Sequence, residues 1–362
     1  MGAPSGATRS ATIREVAARA GVSTATVSRA LRGQARVDPE TRRRVEDAAR
    51  ALRYRPSSVA RSLKLRHTST LGLIVTDIEN PFFPQIIRAV EDAARARGYA
   101  VVLADGRREP DREIASLETL AERQVDGLLI ASSALTERHH AWIIERPSPV
   151  VIINSDSRIP AVPAILSDNE AGGRLVAEHL LGLGHQRMTY VAAPSSRNVA
   201  MDERLRGVRS ALLAHGIPRE ALDVVDGDGG VEAGEQAARQ ALLRRPDTTA
   251  LICYNDMTAV GALRALRSLG RRVPEDVSVV GFDDIELAPY LVPALTTVRQ
   301  DIAEMADWAV DTLLRLIADG DPAGAAPGPA GPARSPARLV RRIPVRLVVR
   351  DSTGPLGSKS PE

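Results

Sequence analysis

The sequence predicts a small all-α module, a short linker, and an α/β body of two doubly wound lobes on parallel sheets. Three observations lead there. Charge is divided unevenly: Met1 to Arg66 hold 15 Lys and Arg against 5 Asp and Glu, a net of +10, while the remainder holds 33 against 40, a net of −7. The first sixty residues carry apolar side chains at helical spacing, interrupted by one glycine. Beyond residue 70, short continuous apolar runs alternate with amphipathic stretches, the pattern of buried parallel βαβ units.

At 362 residues the chain has room for two or three domains with ample core. Its 44% hydrophobic and 26% charged residues are an ordinary soluble composition. No apolar run approaches the ~18–20 residues of a membrane helix. The opening "MGAPSGATRS" has no apolar leader core, and Gly6 breaks the myristoylation pattern. A cytoplasmic protein without membrane contact is therefore expected. Cys253, the one cysteine, rules out an intrachain disulfide framework; in "TALICY" it reads as a buried strand residue rather than a nucleophile.

Each helix of the module has its own signals. Thr12 followed by Glu15 forms a capping box, so a helix begins near Ile13, and Ile13, Val16, Ala17 and Ala20 give it one apolar face. Gly21 permits a turn and Ser23 suits the N-cap of a second helix, with Val27 and Leu31 facing inward alongside Val22. Thr24, Ala25, Ser28 and Arg29 are left on its outer side. In the third helix Asp38 caps, Pro39 takes the first position, and Val45, Ala48, Ala49 and Leu52 form the stripe.

Three short helices with a tight glycine turn describe a helix-turn-helix, whose second helix can enter the major groove of DNA. Arg29 can fork to guanine, while Ala25 and the Thr24 methyl suit a thymine methyl. Ser23, Thr26 and Ser28 are placed for phosphates, which fix register without reading sequence. Thr12 completes the module's DNA-binding set. A three-helix bundle that binds protein, or nothing, is the weaker alternative given the charge.

The linker "RPSSVARSLKLR" poses a separate question, because Leu63 stands among basic residues. Val59 and Leu63 would share one face of a short helix, itself marginal in water. In a dimer, two such helices could pack through Val59 and drive both leucines into the minor groove, with Arg61 and Lys64 against phosphates. Equally, Leu63 could pack on the body that follows.

"TIREVAARAGVSTATVSRAL", "YRPSSVARSLK" and "VGFDD" followed by "LTTVRQD" resemble the LacI/GalR family of bacterial transcription regulators, from about Thr12 to Asp351. The resemblance implies that "SSVARSL" is a hinge helix ordering on operator DNA, with Leu63 as its minor-groove wedge and Ser57, Arg61 and Lys64 beside it. It also implies a homodimer and a body like that of periplasmic sugar-binding proteins. The expected divisions are a flexible N-terminus at 1–10, the DNA-binding domain at 11–56, the hinge at 57–66 and the effector-binding and dimerisation domain at 67–351. The lobes of that domain span about 67–167 and 168–299. The Pro/Gly/Ala-rich stretch at 320–340 is expected to be a disordered loop before a final strand near "IPVRLVV", and 352–362 a disordered tail.

Ligands bind such paired lobes at the carboxyl ends of the strands. Asn154, Ser155 and Asp156 follow "VVII", Asn255 and Asp256 follow "LICY", Asp283 and Asp284 follow "VVGF", and Gln300 follows "LTTVR". Arg204 lies at a helix start. The resemblance implies that Arg204, Asn255 and Asp283 hold the effector, and such a set suits the hydroxyls of a sugar or polyol. Asn154 and Gln300 join the candidate set, and Phe82 or Phe83 could cover an apolar ring face. Asn255 or Asp256 is also a competent N-cap, Asp168 reads as a cap alone, and His185 as a loop residue without a role.

The expected function is a homodimeric repressor bound to palindromic operator DNA under the control of a small molecule, a carbohydrate by preference. A corepressor with a non-sugar ligand remains open. A plain sugar-binding protein is disfavoured by the basic module. No G-x-G-x-x-G, Walker A, G-x-S-x-G or H-E-x-x-H motif supports an enzyme, the histidines form no metal spacing, and no cofactor is expected.

Overall fold

The computed structural model describes residues 11–31, 37–54, 67–131, 135–146, 148–156, 159, 161–193, 199–320 and 339–357. The chain forms two compact units, Met1–Thr68 and Ser69–Glu362. The hinge positions Ser57, Arg61, Leu63 and Lys64, and the N-terminus 1–10, lie outside the described residues.

In the first unit, α1 spans Ile13–Ala20, α2 Thr24–Leu31 and α3 Pro39–Ala51. The capping box closes as the sequence requires: the Thr12 hydroxyl accepts from the Glu15 amide at 3.3 Å, and the Glu15 carboxylate accepts from the Thr12 amide at 2.6 Å. Gly21 ends α1 with φ of 65°, a conformation costly for a residue with a Cβ. The Ser23 hydroxyl accepts from the Thr26 amide at 3.1 Å, and the Asp38 carboxylate from the Thr41 amide at 3.0 Å. Helices this short are marginal alone. A shared core around Val16, Val27 and Val45, all fully buried, holds them, each valine contributing roughly 1.5–3 kcal/mol.

The second unit has two six-stranded sheets. The first, in the order β11-β5-β4-β3-β1-β2, is parallel; its strands are β1 Thr70–Val75, β2 Ala100–Asp105, β3 Gly127–Ala131, β4 Val150–Ile153, β5 Ala164–Ser167 and β11 Val340–Ile343. The second runs β12-β10-β9-β8-β6-β7, with β6 Met188–Val191, β7 Leu222–Val225, β8 Ala250–Cys253, β9 Ser278–Asp283, β10 Thr296–Arg299 and β12 Arg346–Val348; only β12 is antiparallel. The chain passes between lobes after β5, after β10 and between β11 and β12. The strands from which the chain crosses, β5, β10 and β11, lie toward one end of their sheets, with β2 and β7 at the far ends; β6, reached from β5 through the helix Asn169–Gly182, stands beside β7.

Three expectations change. The single strand near "IPVRLVV" is two strands in different sheets, because the chain crosses between lobes at Pro344 and Val345. Of the loop expected at 320–340, residues 321–338 lie outside the described set, and Val340 already belongs to β11. The tail is not disordered from residue 352: Ser352 is fully buried, its hydroxyl donating to the Val279 carbonyl at 2.6 Å and accepting from the Thr296 amide at 2.8 Å. The Leu356 amide donates to the Leu183 carbonyl at 2.9 Å. His185, given no role by its sequence context, is buried with its Nε2 3.0 Å from the Gly354 carbonyl and from the Ser278 hydroxyl. Burial pushes its pKa down. Polarity misled here because Ser352, Thr353 and Gly354 meet partners on the second lobe.

Candidate functional site

The outer face of α2 exposes Thr24, Ala25 and Arg29, with Thr26 and Ser28 half-buried. The Arg29 Nε donates back to the Ala25 carbonyl at 3.3 Å, so its guanidinium lies along the helix beside the small residues expected to meet bases. Thr12 and Ser23 spend their hydroxyls on caps, the Ser23 oxygen also lying 2.9 Å from that of Thr26.

In the body, the polar strand ends converge on Arg204. It sits in the helix Val199–Ala214, which lies backbone-to-backbone against the helix Asn169–Gly182. A Cβ on Gly173 would stand 2.0 Å from the Arg204 carbonyl oxygen, and one on Gly207 2.0 Å from that of Glu170. That close approach seats Arg204, 3% exposed, with its guanidinium carbon 3.5 Å from the Phe282 ring centre and 4.9 Å from that of Tyr254. Its Nε donates to Asn169 Oδ1 at 2.9 Å and its Nη1 to the Tyr254 carbonyl at 2.7 Å, while Nη2 is 3.9 Å from Asp283 Oδ1.

Asp283 ends β9 with φ of 124°, an unusual conformation for a residue with a side chain, and such strain clusters at binding sites. Its Oδ1 accepts from Gln300 Nε2 at 2.7 Å, and Gln300 Oε1 accepts from the Ser167 hydroxyl at 2.6 Å. Burial pushes the Asp283 carboxyl well above the usual carboxylate range, opposed by Arg204. Arg204, Asp283 and Gln300 are thus brought together, and the row reaches the first lobe through Ser167 at the end of β5.

The other candidates stand differently. Asn255 fills the capping role: its Oδ1 accepts from the Thr258 amide at 2.8 Å and its Nδ2 donates to the Gly229 carbonyl at 3.0 Å. Asn154, on the first lobe, has φ of 60° and a buried carboxamide oxygen with no hydrogen-bond partner, an acceptor in want of a donor. Phe82 and Phe83 pack edge-to-face, centres 5.5 Å apart, inside the core. Both are buried to the same degree as Arg204 and Asp283.

Asp256 is structural: it accepts from the Thr297 hydroxyl at 2.5 Å and the Ile285 amide at 2.9 Å, and burial pushes its carboxyl up to about 6. Asp284 binds Arg350 at 2.6 Å and also pairs with Arg299. Asp168 caps as expected, accepting from the Ala171 amide at 3.0 Å. Sequence reasoning missed Ser167, Asn169, Tyr254 and Phe282. Each stood next to a residue already singled out, Ser167 and Asn169 beside Asp168, Tyr254 beside Asn255 and Phe282 beside Asp283.

A basic helix-turn-helix joined to a two-lobed body with a buried polar row defines a ligand-controlled DNA-binding regulator. Residues 12–57 match the model for bacterial regulatory proteins of the lacI family, and residues 177–353 match a periplasmic binding protein-like domain. The chain is 37% identical over 309 residues to the HTH-type transcriptional repressor PurR of Photorhabdus laumondii, covering 85% of this chain and 90% of that one. It is 35% identical over 343 residues to the ribose operon repressor of Halalkalibacterium halodurans, covering 94% and 97%. Among solved structures it is similar to the lac repressor dimer bound to operator and the anti-inducer ONPF, with TM-score 0.81, 30% identity, and 96% and 100% of the two chains covered. A LacI family regulator from Enterococcus faecium with bound ribose gives TM-score 0.68 and 30% identity over 79% and 99%.

The chain belongs to the LacI family of bacterial regulatory proteins. It is a DNA-binding transcriptional repressor under effector control. Among the described residues no helix is long and apolar enough to cross a membrane.

Proposed function

We propose that the cleft of this repressor takes a small, uncharged, hydroxylated effector, a sugar by preference, held by Arg204, Asp283, Gln300 and Asn154. The observation that carries this is the state of Arg204. Two of its nitrogens already donate to Asn169 and to the Tyr254 carbonyl, and the third faces Asp283. A cation so engaged and so closely opposed by a carboxylate offers little to an anionic ligand, while the Asp283, Gln300 and Asn154 groups alternate acceptors and donors as hydroxyls require. Asn255 supports the site through the loop it holds. The ribose repressor relative and the ribose-bound regulator agree with this reading.

A second reading, a purine base acting as corepressor, is favoured by the likeness to PurR. Calorimetric titration of the full-length protein with D-ribose, D-galactose, cellobiose and adenine separates the two. Binding of a sugar, lost in Asp283→Asn, supports the first; binding of adenine alone replaces it with the second.

On the DNA side, Thr24, Ala25 and Arg29 read bases, and Thr12, Ser23, Thr26 and Ser28 fix the module on phosphates. Ser57, Arg61, Leu63 and Lys64 supply the hinge contacts, with Leu63 as the wedge. A second copy of the chain covers the exposed Leu287, Tyr290 and Val292, the last two 80% and 93% exposed, beside a groove of about 750 Å3 between the helix Phe82–Ala96 and Ile302. The protein acts in the cytoplasm and binds its ligands without turning them over: Asp283, Asp256 and Asp284 are each held by a neighbour, Gln300, Thr297 and Arg350.

A further inference from the structure

We propose that Arg108 is a positioning residue of the effector cleft, a strap that ties the outer lip of one lobe to the outer lip of the other. The topology places it there. The chain leaves one lobe for the other from β5, β10 and β11, all toward the β11 and β12 ends of the sheets, and β2 and β7 are the strands at the opposite ends. Loop 106–109 follows β2 and loop 226–230 follows β7, both at the carboxyl ends, so they form opposing lips at the side away from β11 and β12.

Arg108 spans them. Its Nε donates to Asp77 Oδ2 on its own lobe at 2.7 Å, and its Nη1 donates to the Asp228 carbonyl on the other at 3.0 Å. The turn that aims it is strained, with φ of 51° at Arg107 and 60° at Arg108. Non-glycine residues keep such conformations where the surroundings over-determine them. Here the Asp105 carboxylate accepts from the Ile78 and Arg107 amides, both at 3.3 Å, and the Arg108 amide donates to the Thr76 carbonyl at 2.8 Å.

The bond across the lips is suited to opening. Its far end is a neutral carbonyl, so breaking it leaves no carboxylate unpaired, and Asp77 keeps the guanidinium compensated when the lobes part. The far loop is itself organised: Asp228 Oδ1 accepts from the Gly230 amide at 2.7 Å, and the Gly229 carbonyl accepts from Asn255 Nδ2 at 3.0 Å. Asn255 caps the helix that opens beside the Arg204 row, so the strap ends on the loop that the floor of the cleft also holds. Closing the cleft over any ligand and closing the strap are then one event.

The proposal does not depend on what the effector is, and it is tested without one. Amide hydrogen exchange, read by mass spectrometry on the full-length protein, compares wild type with Arg108→Lys and Arg108→Met. A lysine can keep the pairing with Asp77, but all its donors sit on one nitrogen, whereas Arg108 reaches Asp77 and the Asp228 carbonyl through two separate nitrogens. In Arg108→Lys, exchange in segment 226–230 should rise about fivefold while segment 105–109 stays near wild type. In Arg108→Met both segments should exchange faster, and residues 352–357 should not change in either variant. Wild-type protection of 226–230 in both variants, whatever happens at 105–109, overturns the strap. If the methionine variant fails to fold, the lysine variant alone decides.

Discussion

The DNA-reading module and the effector cleft treat polar side chains in opposite ways. On α2, Thr24, Ala25 and Arg29 stand exposed over a core that is wholly apolar. In the cleft, Arg204, Asp283 and Gln300 are buried and already joined to one another and to Ser167 and Asn169. The difference follows from the ligands. DNA brings its own charge and ordered shape, so the protein needs only presented donors on a stable helix. A small effector brings few contacts, so the protein must hold its polar groups in place beforehand.

The contrast is broken most strongly at Arg204. Arg204→Leu leaves Asp283 buried beside no cation and strips the donors from Asn169 and the Tyr254 carbonyl. A loss of about 3–5 kcal/mol in unfolding free energy, read from urea midpoints, is expected. A loss below about 1 kcal/mol would mean the row is not a structural unit. At the exposed site the same kind of truncation should spare the fold: Arg29→Ala should leave the urea midpoint alone and cost about 1–3 kcal/mol at one operator position, measured by competition against single-base variants. A uniform loss over all positions would make Arg29 a phosphate contact.

Between these lies Asn255→Ala, which removes the cap of the helix Asp256–Ser268. About 1 kcal/mol is expected from a cap alone, and the melting temperature measures it. A binding defect without that loss would make Asn255 a ligand contact rather than a support.

A pH dependence breaks the comparison in another way. Burial pushes the Asp256 carboxyl up to about 6 from an ordinary 3.8, so the folded chain holds this proton more tightly than the unfolded one. Its contribution to stability is then full below pH about 4 and fades as pH rises through about 6. In Asp256→Asn that fall should become shallower in a plot of urea midpoint against pH, the part that remains coming from Asp283. A slope unchanged by the substitution would assign it to another group.

What the sequence determined by itself is what depends on near neighbours along the chain. The Thr12–Glu15 box, Gly21, the Ser23 and Asp38 caps and the valine spacing specified the module, because caps and helical faces are set by residues three and four apart. Apolar runs placed most strands for the same reason, and the resemblance supplied the candidates Arg204, Asn255 and Asp283. The short β5 and the split of the last strand escaped, since the three apolar residues Ala164 to Leu166 make too short a run to stand out and a crossing between sheets leaves no local mark. Only the tertiary structure decided which candidates share a site. It joined Ser167, Asp283 and Gln300 from separate strands, gave Asn255 to a cap, sank Phe82 and Phe83 into the core, and bound the polar tail to His179 and His185. Whether a polar residue serves a ligand or the protein depends on which partner reaches it first, and those partners lie tens of residues away along the chain.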